Sequence, residues 1–214
     1  MLKLSDRLLT LADSVRPGFP LWDICCDHGY LGLWLFQKQK IPHLYLIDES
    51  AKVIETLLEK LKEETFYTTA VFQEHFATLG HKEQSIKVRH QSGEKIPVDQ
   101  LSGNIVIAGV GSYTVIHMLE SWLAQGHTLQ ENDRIIICAH KNVDHLRTWL
   151  HDKPYHFHSE LLIKEKSRFR EVIILEKAHT KHVPVPLVGT FENSEHKNDY
   201  FALIQHLKSI KNDK

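Results

Sequence analysis

A doubly wound α/β fold with a mostly parallel sheet is the class this sequence predicts. Strand-like and helix-like segments alternate through five units, and most strand-like segments are near-continuous apolar runs, such as "NIVIAG" (104–109) and "RIIICA" (134–139). Strands apolar on both sides belong to a parallel sheet covered on both faces, whereas a half-exposed sheet alternates apolar with polar residues. The last two runs, "YHFHSELLIKEK" and "FREVIILEK", have no helix between them and should pair as an antiparallel hairpin. Together these give an α/β, seven-stranded, mostly parallel sheet with an antiparallel terminal hairpin and a short C-terminal helical tail.

The elements follow in order. "LSDRLLTLADSV" carries Leu4, Leu8, Leu11 and Val15 at helical spacing, and the Pro-Gly at 17–18 ends it. "PLWDICC" is a short buried strand and "GYLGLWLFQKQK" a helix that closes before Pro42. "HLYLIDE" is the second strand, and "SAKVIETLLEKLKEE" an amphipathic helix with Ser50 as N-cap. "FYTTAVFQEHFATLG" is expected to be a further helix. "SIKVRHQ", "NIVIAGVG" and "DRIIICAH" are strands, with helices in "YTVIHMLESWLAQG" and "VDHLRTWLHD". From about residue 178 the alternation stops, so the expected domain spans 1–177 and a short extension, 178–214, ends in the helix "YFALIQHLKSIKN".

Bulk properties exclude several classes. Lys plus Arg is 26 and Asp plus Glu 27 in 214 residues, so any nucleic-acid contact needs a local basic patch. No basic start followed by an apolar stretch suggests a secretion signal, and no apolar run approaches the roughly 20 residues of a membrane span. Three cysteines, two adjacent (Cys25, Cys26, Cys138), make a poor disulfide framework and suit a reducing cytoplasm. The sixteen histidines lack ligand spacing, so no metal is expected.

The candidate site begins at "DICCDHGYLG". Two acids, Asp23 and Asp27, flank a strand-to-helix turn whose only glycine is Gly29. A dinucleotide's pyrophosphate needs several glycines there and no negative charge. Asp48, with Glu49 beside it, ends the second strand about 20 residues on, where an acid suits two ribose hydroxyls. S-adenosylmethionine carries that adenosine without phosphate, and its sulfonium and ammonium are cationic. It is the expected cofactor, with Asp23 the partner of the ammonium and Cys25, Asp27, His28, Gly29 and Tyr30 forming the turn around it. "RHQSG" ends the third strand, where Gln91, Ser92 and Gly93 are candidates for the adenine edge. "IAGVGSYT" places Ala108, Gly109, Val110 and Gly111 at a strand end where backbone must approach a ligand closely.

"LSDRL", "DICCDHGYL", "VIAGVGS", "LRTWL" and "FREVIILE" fall in order, and together they resemble the bacterial tRNA (adenine-22-N1) methyltransferase family over roughly residues 4–176. The resemblance implies a class I S-adenosylmethionine-dependent methyltransferase with a Rossmann-like fold. It implies methyl transfer to N1 of an adenine in tRNA, and a C-terminal helical appendage. Asp27, Tyr30 and His140 are the candidates for work on the acceptor base, with Tyr113 a further stacking candidate. Arg7, Lys164, Lys166, Arg168 and Arg170 are candidates for contacting RNA, and a monomer is favoured. The sequence departs from the family where Cys25 and Ser112 replace glycine, Ser92 an amide or acid, Ala139-His140 a Pro-Asn pair and Arg170 an aromatic. The region after the second strand is longer by about 15 residues, which makes "SAKVIETLLEKLKEE" the candidate insertion, and the appendage is shortened. Two alternatives stand beside methyl transfer to tRNA: a catalytically impaired relative that binds cofactor or RNA, and a methyltransferase with another acceptor.

Overall fold

The computed structural model describes residues 3–63, 70–73, 76–80, 84–179, 181–192 and 194–212. Its elements are α1 (Asp6–Ser14), β1 (Leu21–Ile24), α2 (Tyr30–Gln37), β2 (His43–Asp48), α3 (Ala51–Glu63), β3 (Ala70–Gln73), β4 (Phe76–Gly80), β5 (Ser85–His90), β6 (Asn104–Ala108), α4 (Ser112–Ala124), β7 (Arg134–Cys138), α5 (Val143–His151), β8 (His156–Glu165), β9 (Arg168–Glu176) and α6 (Lys197–Asn212). One sheet runs β3-β4-β5-β2-β1-β6-β7-β9-β8. β5, β2, β1, β6 and β7 are parallel neighbours, and β9 and β8 return antiparallel as the terminal hairpin. The chain winds from β1 outward through β2, then restarts beyond β1 at β6. The carboxyl ends of β1 and β6 therefore flank a crevice where such folds seat ligands.

Successive strand residues feed opposite layers. Leu21, Leu44, Leu46, Val88, Val106, Ile136 and Ile174 pack under α1, α2 and α3 with Leu11, Leu35, Ile54 and Leu58. Trp22, Ile24, Ile47, Ile105, Ile107, Ile135, Ile137 and Leu175 pack under α4 and α5 with Val115, Leu119, Trp122, Leu146 and Leu150. Ser5 caps α1 by accepting from the Leu8 amide at 3.4 Å, and Ser50 holds the start of α3 by accepting from the Val53 amide at 3.4 Å.

One expected helix is absent. "FYTTAVFQEHFATLG" contributes strands β3 and β4, an antiparallel pair joined to β5 in register Thr78↔Lys87; residues 66–69 and 74–75 of that stretch lie outside the described residues. β5 needs a partner on its open edge, and this β-branched and aromatic run supplies it. α3 leads from β2 toward β5, the crossover that a parallel pair requires. The β3–β4 hairpin raises the sheet from the seven strands expected to nine.

Past β9 the chain folds back onto the domain. Arg147 of α5, 2% exposed, lies between Glu160 of β8 at 2.6 Å and Glu171 of β9 at 2.7 Å. The same guanidinium donates to the Pro186 carbonyl at 3.1 Å, and Glu160 accepts from the Thr190 and Phe191 amides at 2.6 and 3.1 Å. Tyr200 of α6 donates to Glu171. Each buried charge here is paired and further hydrogen-bonded, the condition under which burial is tolerated.

Candidate cofactor and acceptor site

The turn after β1 is built from left-handed residues. Cys25, Asp27 and Gly29 have φ of 59°, 50° and 66°, and only Gly29 adopts this freely. Cys25, which stands where the resembled family has glycine, therefore sits in a glycine-like conformation. Backbone bonds hold it: the Cys26 amide donates to Ile47 O at 3.1 Å, and the Gly29 amide to Cys26 O at 2.8 Å. Burial, reinforced by Asp48, Glu49 and Asp23, pushes the Cys25 thiol up to about 12, so it stays protonated where it packs against the apolar layer under α4 and α5.

Asp23 is 5% exposed and accepts from the Gly32 amide at 3.2 Å. Burial raises its pKa to about 7; the Gly32 bond opposes this and the Asp48 charge adds to it. Gly32 escaped the sequence reading. A Cβ there would lie 2.6 Å from Leu44 Cδ1 and 3.2 Å from Asp23 Oδ2, so α2 reaches β1 only through a glycine. The signal was Gly29-x-x-Gly32, a second glycine one turn into the helix.

At the tip of β2 two adjacent acids differ in use. Asp48 Oδ2 accepts from the Asp27 amide at 3.2 Å, and Oδ1 from the Ser50 amide at 2.9 Å. Its carbonyl takes the Gln91 amide at 3.0 Å, so Asp48 ties three strand ends together. The Glu49 carboxylate is exposed with no partner among the described residues, while its carbonyl meets the His90 ring at 2.9 Å. Gln91 and Ser92 are half-exposed, but Gly93 is buried: a Cβ there would lie 2.7 Å from Met118 Sδ.

On the other side of the crevice, Gly109 has φ of 79° and nothing within 4 Å of an added Cβ, so the space above it is open. Gly111 has ordinary φ and lies against Lys141. Val110 O accepts the His140 amide at 2.9 Å, and the Ser112 hydroxyl donates to Lys141 O at 2.7 Å, joining the loops that follow β6 and β7. His140 Nδ1 is 3.0 Å from Gly109 O, and Arg170 donates to His140 O at 2.8 Å.

The other predicted residues separate. Asp27 is exposed, with His28 Nε2 3.7 Å from its carboxylate. Tyr30 is 42% exposed, but Lys60 Nζ of α3 lies 4.4 Å from its ring centre, and His28 lies at 5.3 Å. Tyr113 is 62% exposed and pairs with His145 at 4.8 Å. The β8–β9 tip reaches the same end of the sheet, because β9 starts beside the end of β7. Arg7 and Lys164 are paired with Glu165 at 3.7 Å and Asp199 at 2.9 Å. Lys166 and Arg168 are exposed without an ion-pair partner among the described residues. Among those residues, no three His, Cys, Asp or Glu side chains gather to hold a metal, and no helix is long and apolar enough to cross a membrane.

A family model described as a methyltransferase domain matches residues 4–173. The tRNA (adenine(22)-N(1))-methyltransferase of Bacillus subtilis is 26% identical over 175 residues, 82% of this chain and 66% of that protein, so the chain spans just under two-thirds of this relative's length. The solved B. subtilis m1A22 tRNA methyltransferase TrmK superposes with a TM-score of 0.76 at 22% identity, covering 100% of this chain and 88% of the other. TrmK of M. capricolum, solved with S-adenosyl-homocysteine, superposes with a TM-score of 0.61 at 24% identity, covering 83% and 72%.

Proposed function

The chain belongs to the methyltransferase-domain family, and from that premise we propose that it methylates N1 of an adenine in tRNA with S-adenosylmethionine. The observation that carries the cofactor reading is the carboxyl edge of β1 and β2. Asp23, Asp27, Asp48 and Glu49 surround a turn with one glycine, a setting that repels phosphate and suits a cationic ligand bearing a diol. The B. subtilis relative supports the acceptor reading, since it is a tRNA (adenine(22)-N(1))-methyltransferase.

When bound, S-adenosylmethionine supplies an electrophilic methyl group on a sulfonium. Glu49, whose carboxylate has no partner among the described residues, would accept from the ribose hydroxyls, and Asp48 braces the turn. Asp23, at the end of β1, meets the ammonium directly or through water. Gln91 and Ser92 present polar groups to the adenine edge. Adenine N1 attacks through a ring lone pair that is unprotonated at neutral pH, so the site needs no strong base. The protein's work is to extrude the base from its stack, align it and tolerate the positive charge that moves onto it. Asp27, exposed at the crevice, is a carboxylate suited to that last task. Lys166 and Arg168 meet phosphates. Residues 1–177 form the methyltransferase domain, with 178–214 an appendage held by the Arg147 network. The protein acts in the cytoplasm, with its tRNA.

The test is direct: purified protein, tRNA lacking the modification and radiolabelled S-adenosylmethionine. Label recovered as 1-methyladenosine supports the proposal. Tight tRNA binding without transfer favours a non-catalytic module, and label on another base or on protein removes the acceptor.

A further inference from the structure

His140 is held on three sides where the chain leaves β7. Its amide donates to Val110 O at 2.9 Å, its carbonyl accepts from Arg170 Nη1 at 2.8 Å, and ring Nδ1 lies 3.0 Å from Gly109 O. A carbonyl oxygen only accepts, so Nδ1 carries the proton. The neutral imidazole therefore leaves its lone pair on Nε2. Nε2 has no partner among the described residues, and the side chain is exposed. The ring thus offers one acceptor beside the open space over Gly109, where a Cβ would meet nothing within 4 Å.

We propose that His140 Nε2 accepts a hydrogen bond from the 6-amino group of the adenine being methylated, and that this contact sets the preference for adenine. The inference rests on the adenine-N1 reading above. N1 and the 6-amino group are neighbours on one edge of the ring, so an acceptor fixed on the amine fixes the N1 lone pair. A guanine would present its O6 acceptor to Nε2 and a protonated N1 to the methyl group, and both oppose reaction. The contact also strengthens as the reaction proceeds. As N1 bonds to the methyl carbon, positive charge spreads over N1, C6 and the 6-amino nitrogen, which makes the amino hydrogens better donors. An interaction that is stronger in the transition state than in the ground state raises kcat. Arg170 is a positioning residue here: its bond to the His140 carbonyl, with the Gly109 bond to Nδ1, sets the ring before substrate arrives.

The experiment compares two tRNAs, carrying adenosine or purine riboside (hydrogen in place of the 6-amino group) at the adenine that the wild-type protein methylates. kcat/KM is measured on both for wild type, His140→Ala and His140→Gln. Intrinsic differences in base reactivity cancel when the adenosine-to-purine ratios of two proteins are compared. The wild-type ratio should exceed that of His140→Ala by about 10-fold or more, the loss expected for one such bond. His140→Gln, whose amide oxygen reaches the place of Nε2, should restore part of it. A merely structural role lowers both rates together and leaves the ratio unchanged, which overturns the proposal. Should the alanine variant fail to fold, His140→Phe keeps the ring without the acceptor and gives the same comparison. If wild type methylates no tRNA adenosine, the adenine-N1 reading falls and this contact falls with it. If it does so with unchanged ratios in the variants, only this contact falls.

Discussion

Asp48 and Glu49 are adjacent carboxylates, and the structure separates what each should do. Asp48 accepts two backbone amides, at 3.2 and 2.9 Å, that join the turn after β1 to the start of α3. In Asp48→Asn one oxygen becomes an NH2 group facing an N–H donor, so one charge-assisted bond is lost and two donors oppose each other. At a half-exposed site this costs about 2 kcal/mol, near the lower end for bonds to a charged group. For a chain of this length that corresponds to roughly 4–8 °C in Tm. Glu49 has no side-chain partner among the described residues, so Glu49→Ala should leave the Tm of cofactor-free protein within about 1 °C. It should instead lose a charge-assisted pair of bonds to the ribose, about 2–3 kcal/mol, or roughly 30- to 150-fold in Kd for S-adenosylmethionine. Thermal melts without cofactor and titration calorimetry with it read the two effects separately. Glu49→Ala binding within twofold of wild type would refute the assignment. An Asp48→Asn protein that melts like wild type but loses the cofactor would exchange the two roles.

Three further outcomes follow from the same geometry. Burial holds the Asp23 pKa near 7, above its unfolded value, so folding favours the protonated form; that stability is complete below the unfolded pKa and is lost as pH rises through about 7. Asp23→Asn should therefore flatten the fall in stability between about pH 4 and pH 7 by about 1.4 kcal/mol per pH unit at most, and parallel denaturation curves for the two proteins would contradict this. Arg147→Met leaves Glu160 and Glu171 buried without their counter-charge, which should cost about 3–5 kcal/mol and expose the 183–191 segment to limited proteolysis; unchanged melting would mean the network contributes nothing net. Lys166→Glu with Arg168→Glu should weaken tRNA binding and lower its salt slope by about one per lost phosphate contact, with cofactor affinity unchanged; an unaltered slope would move the RNA interface away from the β8–β9 tip.

The sheet was legible because burial on both faces leaves a simple trace. Leu21 and Trp22 enter opposite layers, as do Val106 and Ile107, so each strand reads as an unbroken apolar run. Where only one side of a pairing is encoded locally, the trace fades. The run that contains β3 and β4 has no Asn-Gly or Asp-Gly turn and no clean alternation, and a period of either kind can be laid over it. What decides its state is the open edge of β5, a tertiary feature absent from any window of sequence. The buried network was half legible. Arg147 and Glu171 belong to the motifs "LRTWL" and "FREVIILE", but their meeting with Glu160 depends on α5 lying against the terminal hairpin.

At the site, an acid at a strand tip can be read from spacing, because strand ends recur at fixed intervals in this fold. Which oxygens remain available cannot, since the chain's own amides compete for them. Asp48 is the natural choice for a diol by position; the Asp27 and Ser50 amides each engage one of its oxygens, whereas the neighbouring Glu49 carboxylate has no partner among the described residues. His140 follows the same logic in reverse. By type it is an ambiguous imidazole, donor or acceptor at either nitrogen; the Gly109 carbonyl removes the ambiguity by accepting a hydrogen bond from Nδ1–H. Cys25 completes the argument. A residue at φ of 59° costs roughly 1–2 kcal/mol against an extended conformation, and it is retained in a turn that bonds on both sides, to Ile47 and within itself at Cys26–Gly29. In all three cases residue type sets what a side chain can do, and a backbone group contributed by a different stretch of chain decides which of those things it does.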